Sequence, residues 1–431
     1  MTMQPSDGDA VPMATLWRVF ARIGVLSFGG PAAQIALMHR ELVERHGWLS
    51  EAVFLRALSL CMMLPGPEAM QLATYAGWRL RGVMGGVIAG ALFVGPGALV
   101  IATLAAVYIN FGTQPLVQAG FLGVQAAVIS IVLQAMRGLS ARALRQRSDW
   151  AIAALAFVAI FAIGLPFPLI IAGAAVWGAV RGHADTGFGQ GADQGTQGVP
   201  LATSPVRWAM RGALWAGLWL APLAALSLAG PPVLAALGWF FAKLAVVSFG
   251  GAYAVLAYMT QAMTVEHGWL DTGQMIAALG LAETTPGPLI LVTQFAAILA
   301  GFGAGGPAMA AAAGVVALWA TFLPCFLWIF LAAPHLERLA TAPRLSGALA
   351  GITAAVVGVI ANLSVWFALH VLFARMGGGL GAVPVPDLAS LSLPALALTG
   401  LGACVIFIAR RGMISALLIC AAAGIGVGMV T

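Results

Sequence analysis

The chain has 431 residues, of which 61% are hydrophobic and 8% are charged, and its mean hydropathy is +0.99. Because a soluble domain carries about 25% charged residues, this composition excludes a water-soluble globular protein and predicts a protein of the lipid bilayer. The formal net charge of +6 comes from arginines that lie between apolar segments, a distribution that indicates membrane topology rather than a nucleic-acid-binding face.

The first apolar segment, residues 13–38, contains the motif Ser27-Phe28-Gly29-Gly30 and predicts one helix with a weak point at Gly29-Gly30-Pro31. A polar loop follows, and then two apolar pieces, residues 51–64 and 67–78, on either side of Pro65-Gly66-Pro67. Each piece would form a helix of about 21 Å, whereas the hydrocarbon core of a bilayer is roughly 30 Å thick. The pair therefore forms either one broken, tilted span or a re-entrant hairpin.

The rest of the first half predicts two more spans, residues 82–109 and 116–136, and then a tight hairpin of residues 150–163 and 167–180. The hairpin is inferred from its counterpart near the C-terminus, where Arg410-Arg411-Gly412 divides two apolar segments. Two arginines at the centre of a membrane would cost several kcal/mol, so that division must lie at a membrane surface.

The motifs of the first half return 221 positions later as Ser248-Phe249-Gly250-Gly251 and Pro286-Gly287-Pro288, without a gap between the copies. Such a match indicates a duplicated unit. We therefore predict a first membrane repeat in residues 13–181, a linker loop with an extra transmembrane helix in 182–232, and a second repeat in 233–431.

The basic residues predict the orientation of the chain. We place the N-terminus in the cytoplasm and count Pro-Gly-Pro as a broken span. Most of the basic residues between the helices then lie on the cytoplasmic side, as the positive-inside rule requires. Only Arg40, Arg45 and Arg375 lie in outer loops. A re-entrant hairpin would make this distribution less one-sided, which favours the broken span.

Six spans and one linker helix before the second copy would insert the two copies with opposite orientation. The sequence thus predicts an all-α polytopic membrane protein of two inverted repeats with Gly-Gly and Pro-Gly-Pro helix breaks. This plan is typical of secondary transporters, whose sites lie where broken helices meet near the midplane.

One cation in each copy precedes the Ser-Phe-Gly-Gly motif by five residues, Arg22 in the first and Lys243 in the second. Cations inside a membrane are costly, so their repetition suggests that they flank a bound anion. The alternative is that their side chains reach the headgroups, which requires no binding role.

The repeated breaks are candidate oxyanion sites, because helix starts expose backbone N–H groups and proline ends the preceding helix. The alternative is close packing or a simple kink. Gln71 lies one turn beyond the first Pro-Gly-Pro and could add a hydrogen bond. The residues in these breaks are Gly29, Gly30, Gly250, Gly251, Pro65, Gly66, Pro67, Pro286, Gly287 and Pro288.

Two carboxylates adjoin the Pro-Gly-Pro motifs: Glu68 follows the first, and Glu283 precedes the second by three residues. A carboxylate inside a membrane is a candidate proton carrier, or a partner of Arg22 or Lys243. A structural ion pair or a helix cap is the alternative.

Other chemistry finds no support in the sequence. The histidines and cysteines show no metal-ligand spacing, and no nucleotide-binding loop or catalytic triad pattern is present, so we expect no metal, no cofactor and no enzymatic activity.

The motif strings resemble the chromate ion transporter family, in its long two-domain bacterial branch. The resemblance rests on Ser27-Phe28-Gly29-Gly30-Pro31, on Pro65-Gly66-Pro67-Glu68 with Gln71-Leu72-Ala73-Thr74-Tyr75, and on residues 280–288, Gly-Leu-Ala-Glu-Thr-Thr-Pro-Gly-Pro. It implies efflux of chromate from the cytoplasm, chromate resistance, sulfate as an isosteric competitor, and coupling to the proton gradient or the membrane potential.

We therefore expect a transporter of the inner membrane whose substrate is a tetrahedral oxyanion and whose other contacts are with lipid, not nucleic acid. The prediction leaves room for a homo-oligomer. A sulfate or other oxyanion importer or exchanger, or a passive anion channel, is the alternative.

Overall fold

The computed structural model describes residues 11–28, 30–181, 205–249, 252–282, 285–335, 343–377 and 385–430. Within these ranges nearly all of the chain is helical, as an all-α membrane protein requires. The predicted linker loop and four predicted site residues lie outside the described residues: Gly29, Gly250, Gly251 and Glu283.

Fifteen helices follow one another in the described residues, and three of them continue into short π-helical segments at Arg40–Arg45, Ala262–Glu266 and Cys404–Ile408. A short hairpin, β1 (Met376–Gly377) and β2 (Val385–Pro386), precedes the last two helices. The helices are α1 Met13–Leu26, α2 Gly30–His39, α3 Glu51–Met63, α4 Glu68–Phe111, α5 Pro115–Ala143, α6 Arg147–Phe161, α7 Phe167–Arg181, α8 Pro205–Ala229, α9 Pro232–Val247, α10 Ala252–Gln261, α11 Thr272–Ala282, α12 Val292–Ala332, α13 Pro343–Leu372, α14 Leu393–Ala403 and α15 Met413–Val430.

Five of these helices are long and apolar enough to cross a membrane: α4, α5, α8, α12 and α13. The others in the described part of the chain are shorter, at most 18 residues. The predicted extra apolar segment between the copies forms α8.

The two longest helices, α4 and α12, each fold back on themselves. Helical geometry is lost at Arg81–Gly82 in α4 and at Gly305–Gly306 in α12, where the second residue of each pair is a glycine with a positive φ. A Cβ added at Gly77 would meet the carbonyl oxygen of Gly85 and the side chain of Ala89. Each long helix is therefore a short arm, residues 68–80 or 292–304, packed against a long arm.

The chain also reverses between α1 and α2, which corrects the predicted single helix of residues 13–38. Arg22 Nε lies 3.9 Å from Glu41 Oε1, whereas 19 residues of straight helix would separate their Cα atoms by about 28 Å. The reversal lies between α1, which ends at Leu26, and α2, which begins at Gly30 with a φ of +77°. The chain turns sharply there, in contrast to the continuous span that the hydropathy pattern predicts.

Two side-chain contacts indicate where the helices on either side of Pro65-Gly66-Pro67 lie relative to α1 and α2. Arg81, at the end of the 68–80 arm, donates from Nε to the carbonyl oxygen of Val11, which precedes α1, at 2.6 Å. Glu51 begins α3 and bonds to His39 at the end of α2 at 2.6 Å. The 68–80 arm thus runs from the Pro-Gly-Pro turn back to the start of α1.

Two compact units emerge from the packing. In the first, α8 and α9 pack on α12, and Trp208 and Trp219 of α8 donate to carbonyl oxygens of α12. In the second, α5 packs closely against α15, α14 and α11. The first unit comprises Met1–Ala102, Arg181–Ala252 and Thr285–Leu349, and the second comprises Thr103–Val180, Tyr253–Thr284 and Ala350–Thr431.

The tripeptide Gly-Trp-Leu occurs in both copies, at residues 47–49 and 268–270, and it forms the same turn in each. Trp48 and Leu49 donate from their backbone N–H groups to the carbonyl oxygen of Leu42, and Gly47 has a φ of +60°. The imidazole ring of His46 stacks on Trp48, as that of His267 stacks on Trp269. These contacts make the stretch a structural turn.

A histidine between two carboxylates joins α2 to α3. His39 Nε2 lies 2.6 Å from Glu51 Oε2, and His39 Nδ1 lies 3.2 Å from Glu44 Oε1. The hydrogen bond to Glu51 and the negative charges of both glutamates raise the pKa of His39 above its usual 6.5, against the opposing effect of burial. The charged imidazolium is therefore favoured in the folded protein.

This cluster predicts a pH dependence of stability. Because folding raises the pKa of His39, its stabilising contribution is fully present below pH 6.5 and is lost as the pH rises through the folded value. We expect the wild-type melting temperature to fall across this window by more than that of His39→Gln, measured in detergent from pH 5.5 to 9. Melting temperatures of the wild type and His39→Gln that fall in parallel across this range would contradict the contribution of His39.

The arm packing in α4 predicts a contrast between two glycines. Gly77→Ala should destabilise the protein by about 1–3 kcal/mol, because the added methyl group overpacks the contact between the arms. Gly95→Ala is the matched control, since a Cβ there meets nothing within 4 Å. Equal melting temperatures of the two variants in detergent would contradict the close approach of the arms.

Candidate functional site

Each Ser-Phe-Gly-Gly motif begins with a buried serine that ends a helix. Ser27 follows α1 and donates from Oγ to the carbonyl oxygen of Ile23 at 2.6 Å, and Ser248 follows α9 and donates to that of Ala245 at 2.9 Å. The serine hydroxyls are therefore occupied within their own helices. What each motif offers to the rest of the protein is the serine carbonyl oxygen.

Each Pro-Gly-Pro motif is a turn whose glycine has a positive φ, +116° at Gly66 and +87° at Gly287. The first turn leads directly into α4 at Glu68, and the second leads through a 3₁₀ turn, Leu289–Leu291, into α12. A Cβ at Gly66 would lie 2.8 Å from Gln71 Nε2 and 3.1 Å from Cys325 Sγ. Glycine is required here by both conformation and space.

The two kinds of motif are joined by a reciprocal pair of hydrogen bonds. Gly66 N–H donates to the carbonyl oxygen of Ser248 at 2.9 Å, and Gly287 N–H donates to that of Ser27 at 2.8 Å. Both donors and both acceptors differ by 221 positions, so each copy gives its Pro-Gly-Pro turn to the serine of the other. We call these four residues and the two turns the crossed junction.

The crossed junction places each predicted Pro-Gly-Pro turn beside the serine that precedes the Gly-Gly pair of the other copy. The turn residues are Pro65, Gly66 and Pro67 in the first copy and Pro286, Gly287 and Pro288 in the second. The crossed junction also changes which donors are available, because the glycine N–H groups of both turns are bonded to protein. The donors that a ligand could use are the N–H groups of the first turns beyond, at Ala69 and Met70 and at Leu289 and Ile290, since a helix start leaves such groups without intrahelical partners.

A buried glutamine supports each turn. Gln71, predicted from the sequence, donates from Nε2 to the carbonyl oxygen of Pro65 at 2.7 Å. Gln34, on α2, donates to the carbonyl oxygen of Gly287 at 2.7 Å and to that of Ser27 at 3.4 Å. Both Oε1 atoms are buried and have no hydrogen-bond partner among the described residues, so each can accept from a ligand or water.

Gln34 was missed by the sequence analysis. Its partner lies 253 positions away, and the sequence around it does not indicate that contact. At the equivalent positions of the other copy, Gln34 and Gln71 are replaced by Val255 and Val292. A single amide within an otherwise apolar run is the signal that could have identified it.

Glu68 is half-buried and is the first residue of α4. A carboxylate at this position is favoured by the positive end of the helix dipole, and Gln71 lies one turn further along the same helix. The counterpart of Glu68 in the second copy is Leu289, so only the first Pro-Gly-Pro turn is followed directly by a carboxylate. The second predicted coupling residue, Glu283, is outside the described ranges.

The predicted cations lie on exposed faces of their helices. The Arg22 side chain is 51% exposed and pairs with Glu41, not with a Pro-Gly-Pro turn. Lys243 is exposed on α9. Glu41 lies in the stretch that the sequence analysis treated as a polar loop, and its role as the partner of Arg22 was also missed.

Comparison with known proteins gives a consistent result. A family model described as "Chromate transporter" matches residues 14–179 and 235–427. The chain is 32% identical to a chromate transport protein of Cupriavidus metallidurans over 349 residues, 79% of each chain. It is 34% identical to a chromate transport protein of Pseudomonas aeruginosa over 352 residues, 80% of this chain and 78% of the relative. No solved structure matches the chain.

The support of the second turn by Gln34 predicts a loss of stability in Gln34→Leu. Leucine has a similar size but leaves the carbonyl oxygen of Gly287 without this donor, which should cost about 1–3 kcal/mol. Thermal unfolding in detergent measures this cost, and Gln118→Leu, at an exposed position of α5, is the control. Equal melting temperatures would show that the bond to Gly287 contributes nothing to stability.

Proposed function

Because this chain belongs to the chromate transporter family, we propose that it is a secondary active transporter that exports chromate from the cytoplasm and confers chromate resistance. Its energy source is the proton gradient or the membrane potential, and it resides in the inner membrane with a cytoplasmic N-terminus. The relatives named as chromate transport proteins support the choice of substrate.

The crossed junction is the observation that carries the proposal of a site. It joins the turn before α4 to the end of α9 through the bond of Gly66, and the turn before α12 to the end of α1 through the bond of Gly287. Helix starts present N–H groups and a positive dipole, which suit an oxyanion. We assign substrate binding to these starts, with Gln71 beside the first and Arg22 and Lys243 offsetting the negative charge of the substrate.

The two copies insert with opposite orientation in this proposal. Three long apolar segments, residues 83–111, 115–141 and 206–229, separate the first Ser-Phe-Gly-Gly motif from the second. An odd number of crossings reverses the orientation of the second copy relative to the first. The short helices before and between them come in pairs that return to the side from which they start, so they leave this parity unchanged.

Pro-Gly-Pro is accordingly the tip of a re-entrant hairpin. The 68–80 arm is about 20 Å long, which places its tip well inside a core of roughly 30 Å. The bond from Arg81 to Val11 supports a return of this arm to the N-terminal side. Arg79 and Arg81 then lie on the cytoplasmic side, as the positive-inside rule requires.

Glu68 couples transport to protons in this proposal, with Glu283 in the corresponding role of the second copy. An ionised carboxylate near a dianion is unfavourable, so substrate binding and protonation of Glu68 favour one another. Two other functions would use the same site: import or exchange of sulfate or a related oxyanion, and passive anion conduction.

Chromate uptake into inverted membrane vesicles tests the proposal. We expect accumulation that requires a pH gradient or a membrane potential and that excess sulfate reduces. A passive channel would show no accumulation above equilibrium, and an importer would accumulate chromate only in right-side-out vesicles. The double variant Arg22→Ala/Lys243→Ala should lose accumulation, and full activity would refute the role of these cations.

Replacement of Glu68 separates coupling from binding. Glu68→Gln should reduce accumulation driven by a pH gradient by about tenfold or more, a range typical for loss of a positioned proton-transfer group, while chromate binding in detergent is retained. Glu266→Gln, which removes an exposed carboxylate of the second copy, should behave as wild type. Proton-driven accumulation by Glu68→Gln at the wild-type rate would exclude Glu68 as the coupling group.

A further inference from the structure

A buried carboxylate on the first copy holds a set of basic side chains from two elements. The side chain of Glu41 is 6% exposed, while those of Arg22 and Arg45 are 51% and 52% exposed. Glu41 Oε1 lies 3.3 Å from Arg45 Nη1 and 3.9 Å from Arg22 Nε, and Glu41 Oε2 lies 3.9 Å from His46 Nε2. The Glu41 carboxylate thus occupies a basic cluster that includes Arg22, one of the two cations predicted to flank a bound anion.

The charges at this cluster do not cancel. Two arginines face one carboxylate, so a positive charge remains even when His46 is neutral. The arginines are half exposed, which leaves them accessible to a second anion, while the carboxylate beneath them is enclosed. A buried ion pair of this kind is stable only while the carboxylate keeps its partners.

The second copy lacks this arrangement. The positions of Glu41 and Arg45 are held by Ala262 and Glu266, although Lys243 and His267 match Arg22 and His46. The backbone of the two copies is similar here, since both have a π-helical segment followed by the Gly-Trp turn. The buried carboxylate is therefore not needed to form this local fold.

The cluster is also placed to act on the crossed junction. Arg22 lies on α1 five residues before Ser27, and Glu41 lies on the segment that continues α2. Their pairing joins α1 to the π-helical segment that continues α2. Ser27, at the end of α1, supplies the carbonyl oxygen that accepts from Gly287, and Gln34, on α2, donates to the carbonyl oxygen of Gly287.

We propose that Glu41 is a resident counter-anion that Arg22 and Arg45 hold in the resting state and exchange for the incoming oxyanion. The exchange recruits the substrate at the first copy and breaks the contact between α1 and the segment that continues α2. Arg45 and Glu41 thereby join Arg22 as determinants of affinity. This inference rests on the proposed function, because it takes the substrate of that function as the competing anion.

Binding of sulfate and of chromate to the purified full-length protein in detergent tests the exchange. Glu41→Gln removes the competing charge with little change in shape, so both anions should bind about fivefold or more tightly, and turnover in vesicles should fall because release is slower. Arg45→Gln should weaken binding by a similar factor. The double variant Glu41→Gln/Arg45→Gln should return to near the wild-type affinity.

Glu44→Gln is the matched control, because it removes one negative charge from the same π-helical segment. Glu44 is 60% exposed and pairs with His39. We expect its affinity for either anion to equal that of the wild type. If Glu41→Gln and Glu44→Gln tighten binding equally, the effect is one of overall charge and the exchange is wrong.

A purely structural Glu41 gives a different result: Glu41→Gln then lowers the melting temperature and leaves the affinity unchanged, which overturns the proposal. Should Glu41→Gln not fold, Glu41→Asp keeps the charge but shortens the side chain. Tighter anion binding by Glu41→Asp together with weaker anion binding by Arg45→Gln supports the exchange. Any other combination of these two results overturns it. A wild type that neither binds nor transports chromate or sulfate refutes the proposed function itself, independently of these variants.

Discussion

A chain that leaves the helical conformation within a bilayer must find partners for its backbone groups, since water is absent and each unpaired group costs several kcal/mol. The crossed junction meets this requirement at four interruptions with two hydrogen bonds. The N–H groups of Gly66 and Gly287 are donors freed by the Pro-Gly-Pro turns, and the carbonyl oxygens of Ser248 and Ser27 are acceptors freed where α9 and α1 end. Each interruption in one copy is satisfied by an interruption in the other. Each copy therefore depends on the other for one backbone hydrogen bond at each of these breaks.

Shared backbone and divergent side chains distinguish the roles of the copies. The turns at Gly66 and Gly287 make the same bonds, yet Glu68 and Gln71 of the first copy correspond to Leu289 and Val292 in the second. Around the π-helical segments the difference is just as clear, because Glu41 is replaced by Ala262. The duplicated frame therefore supplies the geometry, while at these positions the charge and the hydrogen-bonding capacity lie in the first copy. In the proposed transporter, the first copy carries recruitment by Arg22 and Arg45 and one of the two coupling carboxylates, Glu68.

How far the sequence predicts this arrangement depends on the range of each interaction. The matched motifs at a spacing of 221 positions predict which segments carry the breaks, and the all-helical membrane class follows from composition. The pairing of Arg22 with Glu41 could not be predicted, because hydropathy reads residues 13–38 as one continuous helix and places Glu41 far from Arg22. Gln34 was missed for a related reason: its partner Gly287 is distant in the chain, and periodicity reports only which face of a helix is apolar. Turns and long-range polar contacts are the parts that local patterns do not encode.

The reversal between α1 and α2 also bears on the arginine distribution. With residues 13–38 as a straight span, Arg40 and Arg45 are exceptions to the positive-inside rule. In the proposed topology the chain returns to the N-terminal side of the membrane before it reaches Arg40 and Arg45. Both arginines then lie on the same side as Arg81, which bonds to Val11. The equivalent segment of the second copy, residues 260–272, contains no lysine or arginine, which agrees with an opposite orientation. The same reversal brings Glu41 to Arg22. The reversal between α1 and α2 therefore accounts both for the side on which Arg40 and Arg45 lie in the proposed topology and for the contact of Glu41 with Arg22.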